Sequence, residues 1–484
     1  MKLLIINPPH LAIGSRLAGE HLPPLGLLSI AGPLIDDGHE VMLLDADYHN
    51  YSPDEIGKRC AHICPEVVLM GHSGSTSAQP IIEDLARGIK RVLPNCMIII
   101  GGVFPTYHWK EILDRSPEID FIVCGEGEES CRRLVSALQN RDDIQSVTGI
   151  ALRNNGIAVK SKTTPLIQDL DAYRIAWELM RGYNYTYWGQ KKAVVVQFSR
   201  GCPYPCSYCG QSIFWEKWRH RNPQKFANEI ERLHCEFQIS IFNFADENPS
   251  TNPRAWREVL EAIIAKNLNI ILVGSIRADN IVRDADFLHL YKKAGFERFL
   301  LGIENYDHNV LSKINKASTL SKDREAIQLL RRHGILSMAT YVVGFGDEKT
   351  RDFYHNLRQL LAYDPDQIQL LYATPHKWTP YFEDVKDREI ILPDQRYWDY
   401  KHQVLATKYL APWVVLIYVK LTELILQARP KAIARNYFNR NASLGRAMRW
   451  YSNIGKRVWF WELYQFFFLM RPTKRKMLLR EFWK

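Results

Sequence analysis

The sequence predicts an α/β protein built from a parallel sheet covered by helices on both faces, a partial (β/α)6 barrel and a helical C-terminal region. Two stretches in which apolar runs alternate with helical patterns, about residues 1–150 and 190–400, carry the first two parts. Their runs are continuously apolar, as strands buried on both faces are. The third part is read from charge. Beyond residue 400, 17 Lys and Arg face only Glu423, Glu462 and Glu481, a net of +14 that leaves −4 for the first 400 residues. At 484 residues the chain exceeds one ordinary domain. Its 46% hydrophobic and 24% charged residues exclude a disordered or fibrous protein.

The first module, residues 1–150, opens on Leu3–Ile6 and continues through Val41–Asp45, Val67–Met70, Met97–Gly101 and Phe121–Cys124. Leu27, Leu28, Ile30 and Leu34, and then Ile81, Ile82, Leu85, Ile89 and Val92, recur at helical spacing between these runs. Parallel sheets place ligands at the carboxyl ends of their strands. The residues there are small or hydroxyl-bearing: Asn7-Pro8-Pro9, Gly71 to Thr76 with Ser73 and Ser75, Gly101-Gly102, and Gly125-Glu126-Gly127-Glu128. No G-x-G-x-x-G follows the first strand, which disfavours a nicotinamide dinucleotide. Residues 151–189 read as a linker.

The second module, residues 190–400, begins with the strand Val194–Phe198 and then Cys202-Pro203-Tyr204-Pro205-Cys206-Ser207-Tyr208-Cys209. Three thiols at C-x3-C-x2-C spacing suit an iron–sulfur cluster that keeps one iron open. A three-cysteine zinc site is the rival, but His234 and Cys235 lie well downstream on a predicted helix. Further strands are expected at Ile241–Ala245, Ile270–Gly274, Phe299–Gly302, Ala339–Val343 and Ile368–Tyr372. Their polar carboxyl ends supply Asp246 and Glu247, Ser275 and Arg277, Glu304, and Gly344. In barrels, functional residues gather at these ends.

The C-x3-C-x2-C loop, with Tyr208 before its last cysteine, resembles the signature of the radical S-adenosylmethionine (SAM) enzymes. The resemblance implies that Cys202, Cys206 and Cys209 bind a 4Fe–4S cluster whose open iron chelates SAM. It also implies that Tyr208, Asp246, Glu247, Ser275, Arg277, Glu304 and Gly344 surround SAM. The first module resembles the Rossmann-like cobalamin-binding domain that precedes the catalytic domain in one branch of that family. This implies cobalamin held near Asn7, Ser73, Ser75, Thr76, Gly101, Gly102, Gly125 and Glu126. The D-x-H-x-x-G signature of other cobalamin proteins is incomplete: Asp47-Tyr48-His49 begins it, but no glycine follows in place. Cobalt without a protein histidine is therefore expected.

Within that branch, Arg219 to Pro223, Ala245 to Pro249 and Thr374 to Pro380 look most like the oxidative cyclases acting on magnesium-protoporphyrin monomethyl ester. Phe214, Trp215, Trp218, Trp378, Tyr381 and Phe382 either line a flat apolar cavity or belong to the core. Arg219 or Lys377 are candidates to meet substrate carboxylates. A cobalamin-dependent methyltransferase and a non-catalytic cobalamin- or nucleic-acid-binding protein are the alternatives. A small-molecule substrate and a reductant protein are the expected partners, with no nucleic acid. The 401–484 tail holds five of the 13 Trp, so its basic, aromatic character fits either a packed cap or contact with a membrane surface. No apolar run reaches the ~20 residues of a membrane span, and the N-terminal apolar run is too short for a signal peptide. A cytoplasmic protein without disulfides is expected.

Overall fold

In the computed structural model, which describes residues 1–9, 20–72, 76–317, 319–439, 441–470 and 476–483, the chain separates into two compact units. One ends at Asn184; the other runs from Tyr185 to Lys484 and takes in residues 20–22.

In the first unit, β1 (Lys2–Asn7), β2 (Glu40–Asp45), β3 (Val67–His72), β4 (Met97–Gly102) and β5 (Phe121–Val123) are parallel, in the order β2-β1-β3-β4-β5. Leu3 to Ile6 are fully buried in register between Val41–Leu44 and Val67–Met70, which is why their run is apolar at every position. Helices Leu25–Asp36, Gln79–Val92, Val103–Arg115 and Gly127–Asn140 cross between the strands. The order of the strands reverses between β1 and β3, so the crevice outside their carboxyl ends is the ligand position of this topology.

The stretch expected as a linker is instead folded onto this unit. β6 (Ile150–Asn154) and β7 (Ile157–Lys160) form an antiparallel hairpin that extends the sheet from β5. Asn155 and Gly156, both at positive φ, make its turn. Asn-Gly between apolar runs is a strong hairpin signal that the sequence did offer. Further on, the Ala176 amide donates to the Leu28 carbonyl (3.1 Å) and the Tyr183 hydroxyl to the Leu43 carbonyl (3.0 Å).

The second unit holds a seven-stranded sheet. β8 (Thr186–Tyr187) lies antiparallel at one edge of β9 (Lys191–Val196). A two-stranded ribbon, β10 (Ser199–Arg200) with β11 (Arg219–His220), stands apart from the sheet. The remaining strands, β12 (Ile241–Phe244), β13 (Ile271–Ile276), β14 (Phe296–Glu304), β15 (Leu336–Val343) and β16 (Gln367–Tyr372), follow β9 in parallel. The order β16-β15-β14-β13-β12-β9-β8 is open among the described residues, so the six parallel β/α units do not close. Trp256, Tyr291, Phe296 and Phe299 pack the core, the two phenylalanines stacked at 4.5 Å. Asn222 and Asn252 cap the helices Pro223–Phe237 and Pro253–Ala265 by accepting from their first free amides.

The C-terminal region folds into helices Pro412–Ala428, Pro430–Tyr437 and Ala442–Tyr464. Lys420 is buried between Glu423 (2.7 Å) and Glu462, which joins the first helix to the third. Among the described residues no helix is long and apolar enough to cross a membrane.

Candidate active site

The cysteine loop is set by a glycine turn at its start and by hydrogen bonds to distant segments. Strand β9 runs into the β10–β11 ribbon, and Gly201 turns the chain at φ +91°. A Cβ at Gly201 would lie 2.5 Å from the Lys217 carbonyl oxygen, so only glycine fits. The Ser207 amide donates to the Ile314 carbonyl and the Tyr381 amide to the Ser207 carbonyl, both at 3.0 Å. The Trp378 indole donates to the Gly210 carbonyl at 3.0 Å.

Cys202, Cys206 and Cys209 are half-buried thiols on this loop. Burial raises all three, and Cys209 is pushed up to about 12 by burial and then Glu247. Among the described residues no three His, Cys, Asp or Glu converge on a point that would hold a single ion. Thiols spread along a loop fit a cluster, in which each takes a different iron.

The strand ends bring most of the remaining predicted residues to the loop, in altered roles. Asp246 is buried, and both its oxygens are engaged. Oδ2 accepts the Phe198 amide (3.1 Å), and Oδ1 accepts the Ser199 amide (2.5 Å) and hydroxyl (2.6 Å). Burial holds its carboxyl up at about 6. Asp246 therefore anchors the base of the loop. Glu247 is raised to about 7 by burial and by Asp246. Arg277 stacks over the Tyr204 ring (3.5 Å) and forks onto Asp279 at 2.9 and 3.1 Å. Glu304 ends β14 at φ +69° and pairs with Lys316 at 3.2 Å. Burial and then Glu304 hold the Tyr208 phenol well above its ordinary range. Ser275 lies half-buried near the end of β13. Gly344, at φ +87° just after β15, donates its amide to Glu348 (2.7 Å).

Sequence reading missed Lys316 and Tyr400, for which no periodicity or motif offered a signal. Tyr400, itself at φ +65°, shares a 2.5 Å hydrogen bond with buried His376. Burial, then Cys209 and Glu247, raise its phenol, which places it beside the loop. The aromatics suggested as a cavity lining are largely packed: Phe214, Tyr381 and Phe382 are buried, and Trp218 donates to the Asn248 carbonyl (3.1 Å). Lys377 lies over the Trp483 ring, and Arg219 donates to the Lys217 and Trp215 carbonyls.

In the first unit, Asn7, Gly101, Gly102 and Gly125 stand at strand ends, and Thr76 is buried before the helix Gln79–Val92. Ser73 and Ser75 lie outside the described residues. Asn7 donates to Asp45 (2.8 Å), and Glu126 accepts the Ile167 amide (2.8 Å), so both brace the strand ends. A Cβ at Gly71 would lie 3.1 Å from the Gly101 carbonyl, so backbone itself forms this rim. Glycines thus line the carboxyl ends of β3, β4 and β5, next to the β1/β3 reversal, and such a rim fits a large planar cofactor. His49 follows β2 and stacks on Tyr51 at 4.7 Å.

The model of the radical SAM superfamily matches residues 196–359, and that of the B12 binding domain matches residues 13–135. The anaerobic magnesium-protoporphyrin IX monomethyl ester cyclase of Synechocystis sp. is 54% identical over all of this chain and 97% of its own length. The cyclase of the same name from Rubrivivax gelatinosus is 31% identical over 82% of this chain and 72% of its own. Among solved structures, the radical SAM methyltransferase TsrM of Kitasatospora setae shares the fold. Its TM-score is 0.70 at 16% identity, covering 89% of each chain.

Proposed function

The chain belongs to the cobalamin-binding radical SAM enzymes, in the family of the anaerobic magnesium-protoporphyrin IX monomethyl ester cyclases, and from that membership we propose that it closes the isocyclic ring on this ester. Full-length identity of 54% to the Synechocystis cyclase is the observation that carries the reading. The oxygen of the new ketone comes from water, and a reductant protein supplies the electron.

The matched domains take a 4Fe–4S cluster, SAM and cobalamin, and these cofactors supply the radical chemistry. Cys202, Cys206 and Cys209 would hold the cluster, and the glycine rim at the carboxyl ends of β3, β4 and β5 would hold cobalamin. Around the loop, Asp246 fixes its base, while Lys316 and Glu304 neutralise one another as a buried pair. Ring closure with ketone formation releases protons. Glu247, near neutrality, and the His376–Tyr400 pair are the groups beside the loop able to take them.

Anaerobic incubation with the ester in labelled water tests the proposal. A protochlorophyllide ester carrying the label in its ketone is expected. A product heavier by one methyl group would replace this reading with the methyltransferase. Cys202→Ala, Cys206→Ala and Cys209→Ala should each abolish SAM cleavage, and Cys60→Ala and Cys235→Ala should not.

A further inference from the structure

Exposed apolar side chains are gathered at one end of the sequence. Among the described residues, 14 of the 19 large hydrophobics that stand exposed lie beyond residue 400. Scattered exposed apolar groups need no explanation, but a contiguous set does. Two stripes form it. Trp413, Leu421 and Leu424 recur at helical spacing on Pro412–Ala428, and Phe460, Trp461 and Tyr464 on Ala442–Tyr464. Leu421 and Trp461 are the chain neighbours of Lys420 and Glu462, whose ion pair joins the two helices. The Trp459 indole also donates to the Lys420 carbonyl (3.1 Å). The two stripes therefore lie on one joined pair of helices, and that pair forms the seam. The chain continues it through Phe467 and Phe468, the latter 70% exposed.

The charges beside the seam have one sign. Lys456 and Arg457 are exposed one turn before Phe460 and Trp461, and Lys431 and Arg446 are exposed on the neighbouring helices. All three carboxylates of the region are occupied elsewhere. Glu423 and Glu462 hold Lys420, and Glu481 accepts the Leu478 amide.

We propose that this seam is a docking surface for an anionic phospholipid bilayer, with the aromatic stripes at headgroup depth and the cations against the lipid phosphates. Aromatic rings with a polar edge favour that depth, and each Lys or Arg adds attraction to an anionic leaflet. A second copy would bring the same exposed cations, Lys431, Arg446, Lys456 and Arg457, against these, which opposes self-pairing. The proposal does not depend on the ring-closing reading.

The test is sedimentation of the full-length protein with vesicles. With 3:1 phosphatidylcholine:phosphatidylglycerol the bound fraction should exceed that with pure phosphatidylcholine by about tenfold or more, and should fall as salt rises. Phe460→Ser/Phe468→Ser should lose about tenfold in binding with an unchanged thermal midpoint, since both side chains are exposed. Lys456→Gln/Arg457→Gln should lose the preference for phosphatidylglycerol. Equal failure with both vesicles would overturn the proposal. So would a dimer, seen by analytical ultracentrifugation, that Phe460→Ser/Phe468→Ser dissolves, because a second copy would then be the occupant.

Discussion

Both oxygens of Asp246 are turned to Phe198 and Ser199, where β9 hands the chain to the cysteine loop. Asp246→Asn keeps one acceptor and presents an amide to groups that already donate. We expect this variant to lose cluster iron, by about half or more, because an orphaned buried donor costs on the order of 1–3 kcal/mol. Iron analysis after anaerobic purification checks this. SAM affinity in the molecules that retain a cluster should be unchanged. Glu348 gives a prediction in pH. Burial raises its carboxyl from 4.5 to about 7, so the folded protein holds a proton there that the unfolded chain releases earlier. Its contribution to stability is full below about 4.5 and is lost as the pH rises through about 7. Glu348→Gln should therefore raise the thermal midpoint at pH 8, corresponding to roughly 1–3 kcal/mol, and leave it nearly unchanged at pH 4. The three cysteines stood out in the sequence because a metal cluster would dictate residue type and spacing together. Asp246 and Arg277 were legible only in position, because which partner a buried charge takes depends on segments far away in sequence.

Gly201 links the ribbon to the thiols, and its positive φ and the nearby Lys217 carbonyl leave no room for a side chain. Gly201→Ala should open this turn and lower iron content, while the far-ultraviolet circular dichroism stays as it was. Central strands such as β1, β3 and β15 could be read from apolar runs alone, because a strand buried on both faces needs such residues at every position. The ribbon β10–β11 could not, since two residues a side bury too little to leave a pattern. The β6–β7 hairpin is a different lesson. Its Asn155-Gly156 turn was present in the sequence, but its flanking runs are short and lie at a sheet edge, where alternation is weak.

At the scale of the molecule, the first unit extends well beyond the 150 residues that its ligand loops suggest. A fragment ending at 150 would bare the β5 edge and remove Ala176 and Trp177, both buried in this unit. Fragment 1–184 should unfold cooperatively in urea, whereas 1–150 should aggregate or unfold without a sharp midpoint. The partition of charge, −4 against +14, was legible by counting. That the cations flank exposed rings, rather than cover a fully packed cap, required the helices to be placed side by side.

The cysteine loop takes its hydrogen bonds from Ile314, Tyr381 and Trp378, all distant in sequence and none of them a thiol. Its shape is thus underwritten by the barrel rather than by iron. A cluster destroyed by oxygen would leave a mould that needs reloading but not refolding. Adding ferrous iron and sulfide to air-inactivated protein should restore the cluster absorbance, with the tryptophan emission unchanged throughout. Repair in place would then cost less than replacing 484 residues.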